Sequence, residues 1–271
     1  MTFNKEKTAV KQWHDGIDGL LFETKTGSLN WYSFTKIFVM LFDKDWNGLI
    51  VQKLNGGLVF VRNQHVSINP NAYTYLTNPN VGFQHFIDIT YCGKSSYSAL
   101  QLVSDNHGNT LASNRINLVY VDMETRKSMH LPEFFCEAVI KSHPLSKANQ
   151  KFDLKEFTCP VDYFKMDITV VYTDLDTNGH ATQTSYIRHV LNTFIAGGGS
   201  TVLGSLTIND ILTMQEFRSS YESEANLGDK LVVKVWYDKY TGLHAHIVDK
   251  INPEKVFVRA NLGVGNIVAK L

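Results

Sequence analysis

Apolar and polar positions in the second half of the chain alternate in two different periods. Met166 to Tyr172 is rich in β-branched residues and reads as a strand. From Gln183 to Ile195 the apolar positions recur every four residues: Tyr186, Val190 and Phe194, then Ile187, Leu191 and Ile195. That spacing predicts an amphipathic helix, and Gly197-Gly198-Gly199 ends it. Three strand-like runs follow, Ile211 to Glu224, Lys230 to Asp249 with a turn at Tyr240-Thr241-Gly242, and Lys255 to Val264.

The first half repeats this order. Leu20 to Lys25 reads as a strand, and Trp31 to Phe42 as a helix with Phe34, Phe38 and Phe42 on one face. Runs at Leu58 to Ile68, Gly82 to Thr90, Tyr97 to Ser104 and Thr110 to Asp122 alternate as half-buried antiparallel strands do. Asp105 to Asn109 reads as a hairpin turn. Met129 to Phe164, with three prolines, reads as a linker holding one short helix near Pro132 to Lys141. The predicted organisation is an N-terminal extension (1–18), a first unit (19–128), a linker (129–164) and a second unit (165–271). A strand, a helix and several antiparallel strands, given twice, predict an α+β fold with a sheet wrapped around a long helix in each half.

Between the predicted strand and helix of the second half lies Asp174-Leu175-Asp176-Thr177-Asn178-Gly179-His180. Two carboxylates, a carboxamide and an imidazole at that density are costly to bury unless paired or used. Asx residues also cap helices and fill turns, and that reading suits Asp174 best. The segment, with Tyr186 after it, resembles the D-x-D-x-N-x-H signature of hotdog-fold thioesterases of the acyl-CoA and acyl-carrier-protein type. Their following V-N-N is here Ala181-Thr182-Gln183. Tyr221-Glu222-Ser223-Glu224-Ala225 resembles the Y-x-x-E-C element of the plant acyl-carrier-protein enzymes, with alanine in place of the cysteine.

The resemblance implies a tandem double hotdog in one chain that hydrolyses acyl thioesters, with the acyl chain between the halves. It implies catalytic roles for Asp176, Asn178, His180 and Glu224. Asp176 would activate water or attack directly, and Glu224 would be its partner base. Asn178 would serve the oxyanion or orient a carboxylate, and His180 would protonate the leaving thiolate. The N–H groups of Gly179 and His180, placed at the helix start, would hold the carbonyl. Gly179, Tyr186, Asp174, Trp31 and Phe34 complete the expected substrate-binding set. Tyr186 fits the core equally well, since it shares a helical face with Val190.

The first half lacks the chemistry. Thr24 stands against Asp176, Ser28 against His180 and Phe34 against Tyr186. Its aromatic residues are expected to shape an apolar pocket instead. Two other readings stand beside hydrolysis. A hydratase of acyl thioesters prefers a proline where Gly179 stands, and a non-enzymatic acyl binder would need none of the four polar residues.

Composition narrows the partners. With 26 basic and 26 acidic residues the chain is formally neutral, which gives no electrostatic case for nucleic acid. It contains no apolar run long enough for a membrane span. The residues from Met1 to Asp18 lack the apolar core of a signal peptide. Cys92, Cys136 and Cys159 are odd in number, without metal-ligand spacing. Reduced thiols in a cytoplasmic protein are the simplest expectation. His244 and His246 share a strand face but have no third ligand nearby, so solvent-facing imidazoles are expected rather than a metal site. Gly197 to Thr201 lacks the lysine of a phosphate loop. No metal or organic cofactor is expected. The expected partner is an acyl-CoA or acyl-carrier-protein substrate, and pairing into a homodimer is a further family expectation.

Overall fold

The computed structural model describes residues 9–14, 57–75, 82–122, 124–142, 157–176, 178–204 and 213–263, with Thr207 and Asp210. They form two compact units. The predicted strand at Leu20 to Lys25 and helix at Trp31 to Phe42 lie outside the described residues, as do Trp31 and Phe34.

In the first unit, strands β1 (Ala9–His14), β2 (Gly57–Ile68), β3 (Phe83–Cys92), β4 (Ser96–Ser104) and β5 (Thr110–Asp122) make an antiparallel sheet in the order β1-β3-β4-β5-β2. β1 was not expected, because a six-residue run inside a polar extension carries too little alternation to read. Its backbone finds a ladder against β3, from Ala9 opposite Asp88 to His14 opposite Phe83. The β4–β5 turn forms where Asp105 to Asn109 predicts it. The Asp105 carboxylate accepts the N–H groups of His107 and Asn109, and Gly108 takes φ +85°.

Besides the short helix α1 (Pro70–Tyr75), this unit holds α2 (Glu133–Ser142). Leu131, Phe135 and Val139 pack against Ile87, Ile89, Tyr97, Ile116 and Leu118 of the sheet. Phe135 meets the Tyr97 ring edge-on at 5.2 Å. Cys92 at the end of β3 and Cys136 on α2 form a disulfide, their Cα atoms 5.5 Å apart. That corrects the expectation of three reduced thiols: the sequence separates these two residues by 44 positions, and only the packing of α2 on β3 joins them. Cys159 is free.

In the second unit, β6 (Phe164–Thr169), β7 (Glu216–Tyr221), β8 (Lys230–Asp238), β9 (Gly242–Asp249) and β10 (Val256–Gly263) form an antiparallel sheet ordered β7-β10-β9-β8-β6. The registers give it two unlike faces. Val233, Val235, Ala245, Ile247, Val258 and Ala260 share the fully buried apolar one. The other carries Trp236, His244 and His246.

Helix α3 (Gln183–Ala196) buries Tyr186, Ile187, Val190, Leu191 and Phe194 and packs against β6, β8 and β9. It ends at Gly197, whose missing Cβ is required by packing. A carbon there would lie 2.8 Å from both Leu203 and Phe164. Gly197→Ala is therefore expected to lose about 1–3 kcal/mol through overpacking, read as a lower denaturation midpoint. An unchanged midpoint would count against this packing.

The predicted strand at Met166 to Tyr172 is shifted. β6 starts at Phe164 and stops at Thr169, and Tyr172–Asp174 forms a 3₁₀ turn. The Asp174 carboxylate accepts the Val171 N–H at 2.9 Å and draws the chain out of the ladder. Among the described residues no helix is long and apolar enough to cross a membrane.

Candidate active site

The polar motif forms a small hairpin that runs into α3. Leu175 and Ala181 bridge across it, and the Asp176 N–H donates to the His180 carbonyl at 2.8 Å. Asp176 Oδ1 accepts the N–H groups of Asn178 (2.8 Å) and His180 (3.2 Å), an Asx turn that orders the loop. Its other oxygen, Oδ2, has no hydrogen-bond partner among the described residues. Gly179 takes φ +81°, a left-handed conformation that suits glycine. Its N–H donates to the Asp176 carbonyl at 3.1 Å.

These bonds correct one expectation. The helix begins only at Gln183, capped by Thr182, whose hydroxyl accepts the Ser185 N–H at 3.1 Å. The Gly179 and His180 N–H groups are committed to Asp176, so they are neither the helix start nor free donors for a thioester carbonyl. Asx-turn chemistry inside the motif competes with helix propagation, and the apolar period cannot register that.

The segment after β7, which carries Glu224, meets this hairpin. The Ala181 N–H donates to the Ala225 carbonyl at 2.8 Å, and His180 bridges Asn226. His180 Nε2 thereby comes within 3.5 Å of Glu224 Oε2, with the two side chains 13% and 39% exposed. Asp176 and Asn178 are exposed on the same loop. The structure thus brings His180 and Glu224 into contact, with Asp176 and Asn178 on the hairpin beside them.

Two expected substrate contacts lie elsewhere. Tyr186 is in the core, where its hydroxyl accepts the buried Ala225 N–H at 3.0 Å. Burial pushes its phenol well above the ordinary value. It holds the Glu224 segment against α3. Tyr186→Phe leaves that N–H without its acceptor and is expected to cost about 1–3 kcal/mol, measurable by urea denaturation. Equal midpoints for the two proteins would refute the tether.

Asp174 is fully buried. Arg188 pairs with its Oδ1, and His189 Nε2 lies 3.4 Å from the same atom. It is enclosed by protein, which corrects its expected place among substrate-contacting residues. Arg188 and His189 were missed by the sequence reading. They fall between the apolar positions of the helix, as Asn192 and Thr193 do, so the periodicity carried no signal for them.

His244 and His246 are also corrected: both are buried, not solvent-facing. Phe157 covers His244 with ring centres 4.1 Å apart, and Trp236 packs on both imidazoles. Among the described residues no group of three metal-ligating side chains occurs.

Comparison with solved structures defines the fold first. It is the α+β hotdog fold found in acyl-ACP thioesterases. The chain is similar to an acyl-ACP thioesterase from Bacteroides thetaiotaomicron (TM-score 0.68, 17% identity, 96% of this chain and 99% of that one). It is also similar to the 12:0-ACP thioesterase from Umbellularia californica (TM-score 0.68, 15% identity, 96% and 98%) and a putative oleoyl thioesterase from Lactobacillus plantarum (TM-score 0.68, 14% identity, 94% of each). No protein-family model matches the chain, and no curated protein matches it.

Proposed function

We propose that this protein hydrolyses acyl thioesters carried by acyl-carrier protein or coenzyme A. The observation that carries the proposal is the 3.5 Å approach of His180 to Glu224, on the hairpin that also exposes Asp176. A thioester is activated enough that a placed water, a base and an acid suffice. Asp176 Oδ2, with Glu224 as partner, takes a proton from water as its oxygen attacks the carbonyl carbon. The Asn178 amide donates to the developing oxyanion. When the C–S bond breaks, His180 gives a proton to the thiolate, and acid and free thiol leave. The likeness to solved thioesterases supports a double hotdog, each half a sheet around a central helix. In this reading the acyl chain lies between the halves.

Free-thiol release from short, long and aryl acyl-CoA thioesters, and from acylated carrier protein, tests this. Release from at least one substrate is expected. Intact thioester throughout the panel would overturn the proposal, and added water detected by mass would mean hydration instead.

A further inference from the structure

We propose that Asp174, Arg188 and His189 form a brace that positions Asp176 and His180 without touching substrate. The proposal rests on the reading of the site given above. Both ends of the catalytic hairpin are fastened at one residue. On the entry side, the Asp174 carboxylate holds the Val171 N–H and pairs with Arg188 from the second turn of α3, where His189 Nε2 packs 3.4 Å from the same carboxylate oxygen. On the exit side, the Asp174 carbonyl accepts the Thr182 N–H at 2.8 Å and the Ser185 hydroxyl at 3.0 Å. Asp176, Asn178 and His180 all lie between these two anchorages.

A neutral cap would be enough to start a helix. A fully buried carboxylate is an expensive alternative that holds only while its cation stays in place. Burial lowers the affinity of His189 for a proton, so Arg188 supplies the positive charge. What the arrangement adds is orientation. Asp176 is two residues from the brace, and a displacement of about 1 Å at a reacting group can cost roughly 10²-fold in rate.

The test compares wild type with Arg188→Met, Arg188→Lys and Asp174→Asn in two readouts. Thiol-release kinetics should show kcat lowered about 10- to 100-fold in Arg188→Met, with KM nearly constant and partial recovery in Arg188→Lys. Amide hydrogen exchange without substrate should accelerate at least about tenfold at Asp176, Gly179 and His180, while β8, β9 and the end of α3 keep their protection. His189→Gln leaves the arginine in place. It should give the same pattern at smaller amplitude, and it replaces Arg188→Met if that variant does not fold. Unchanged kcat in a folded variant, or acceleration spread evenly over the second unit, overturns the brace. If wild type releases no thiol, the hydrolase reading fails separately, and the exchange pattern alone decides whether the brace orders the hairpin.

Discussion

Asp176→Asn is expected to reduce thioester hydrolysis by about 10²- to 10⁴-fold while the protein stays folded. The substitution is discriminating because of how the carboxylate is held. Oδ1 accepts two N–H groups from its own loop, and an asparagine carbonyl oxygen can accept the same two. The hairpin therefore survives. The loss is the charge and basicity of Oδ2, the atom assigned to water. Asp176→Ala would remove the loop bonds as well and confuse chemistry with folding. The comparison is wild type against Asp176→Asn, with kcat and KM from free-thiol release and near-unchanged circular dichroism. A kcat within threefold of wild type would sink the assignment and leave Glu224 with His180 as the base.

Stability should fall steeply as the pH drops from about 6.5 towards 4. His244 and His246 are buried against Trp236, and burial lowers each to about 4 in the folded protein. For His246 the nearby Arg259 and Lys234 add to the effect. In the unfolded chain both rings titrate near 6.5. Between these values the unfolded state binds protons that the native state refuses. The contribution is thus complete above pH 6.5, lost as pH falls through that window, and gone below about 4, up to roughly 3 kcal/mol per ring. Urea midpoints at pH 7 and 4.5 measure it, and His246→Gln should flatten the slope. A flat profile in wild type, or the same slope in the variant, would show that these imidazoles do not drive it.

The strands and α3 were legible because their periods are unbroken. β5 occupies the predicted Thr110 to Asp122, and α3 extends the predicted Gln183 to Ile195 by one residue. The boundary at β6 was not legible, since Val170 and Val171 have the composition of a strand and leave the ladder only through the Asp174 side chain. At the site, the residue types and their crowding could be read, and so could the separate glutamate. Their division of labour could not. Asp174 and Asp176 are indistinguishable as letters, yet one is sealed against Arg188 and the other exposed. Likewise an i, i+2 pair of strand histidines carries no sign of which face is covered, so the burial of His244 and His246 had no signal.

The Tyr186 hydroxyl and the Ala225 N–H that it accepts are 39 residues apart, and β6 pairs with β8 on the far side of the same stretch. Long loops must close before such contacts repay their ordering. During synthesis, then, the hairpin and α3 leave the ribosome without Glu224, the Ala225 amide or the partner of the β6 edge. Glu224 comes within reach of His180 only when these long-range contacts form. In kinetic terms, the contact between His180 and Glu224 is a late event in the folding of this unit, and a chain ending before Glu224 lacks it.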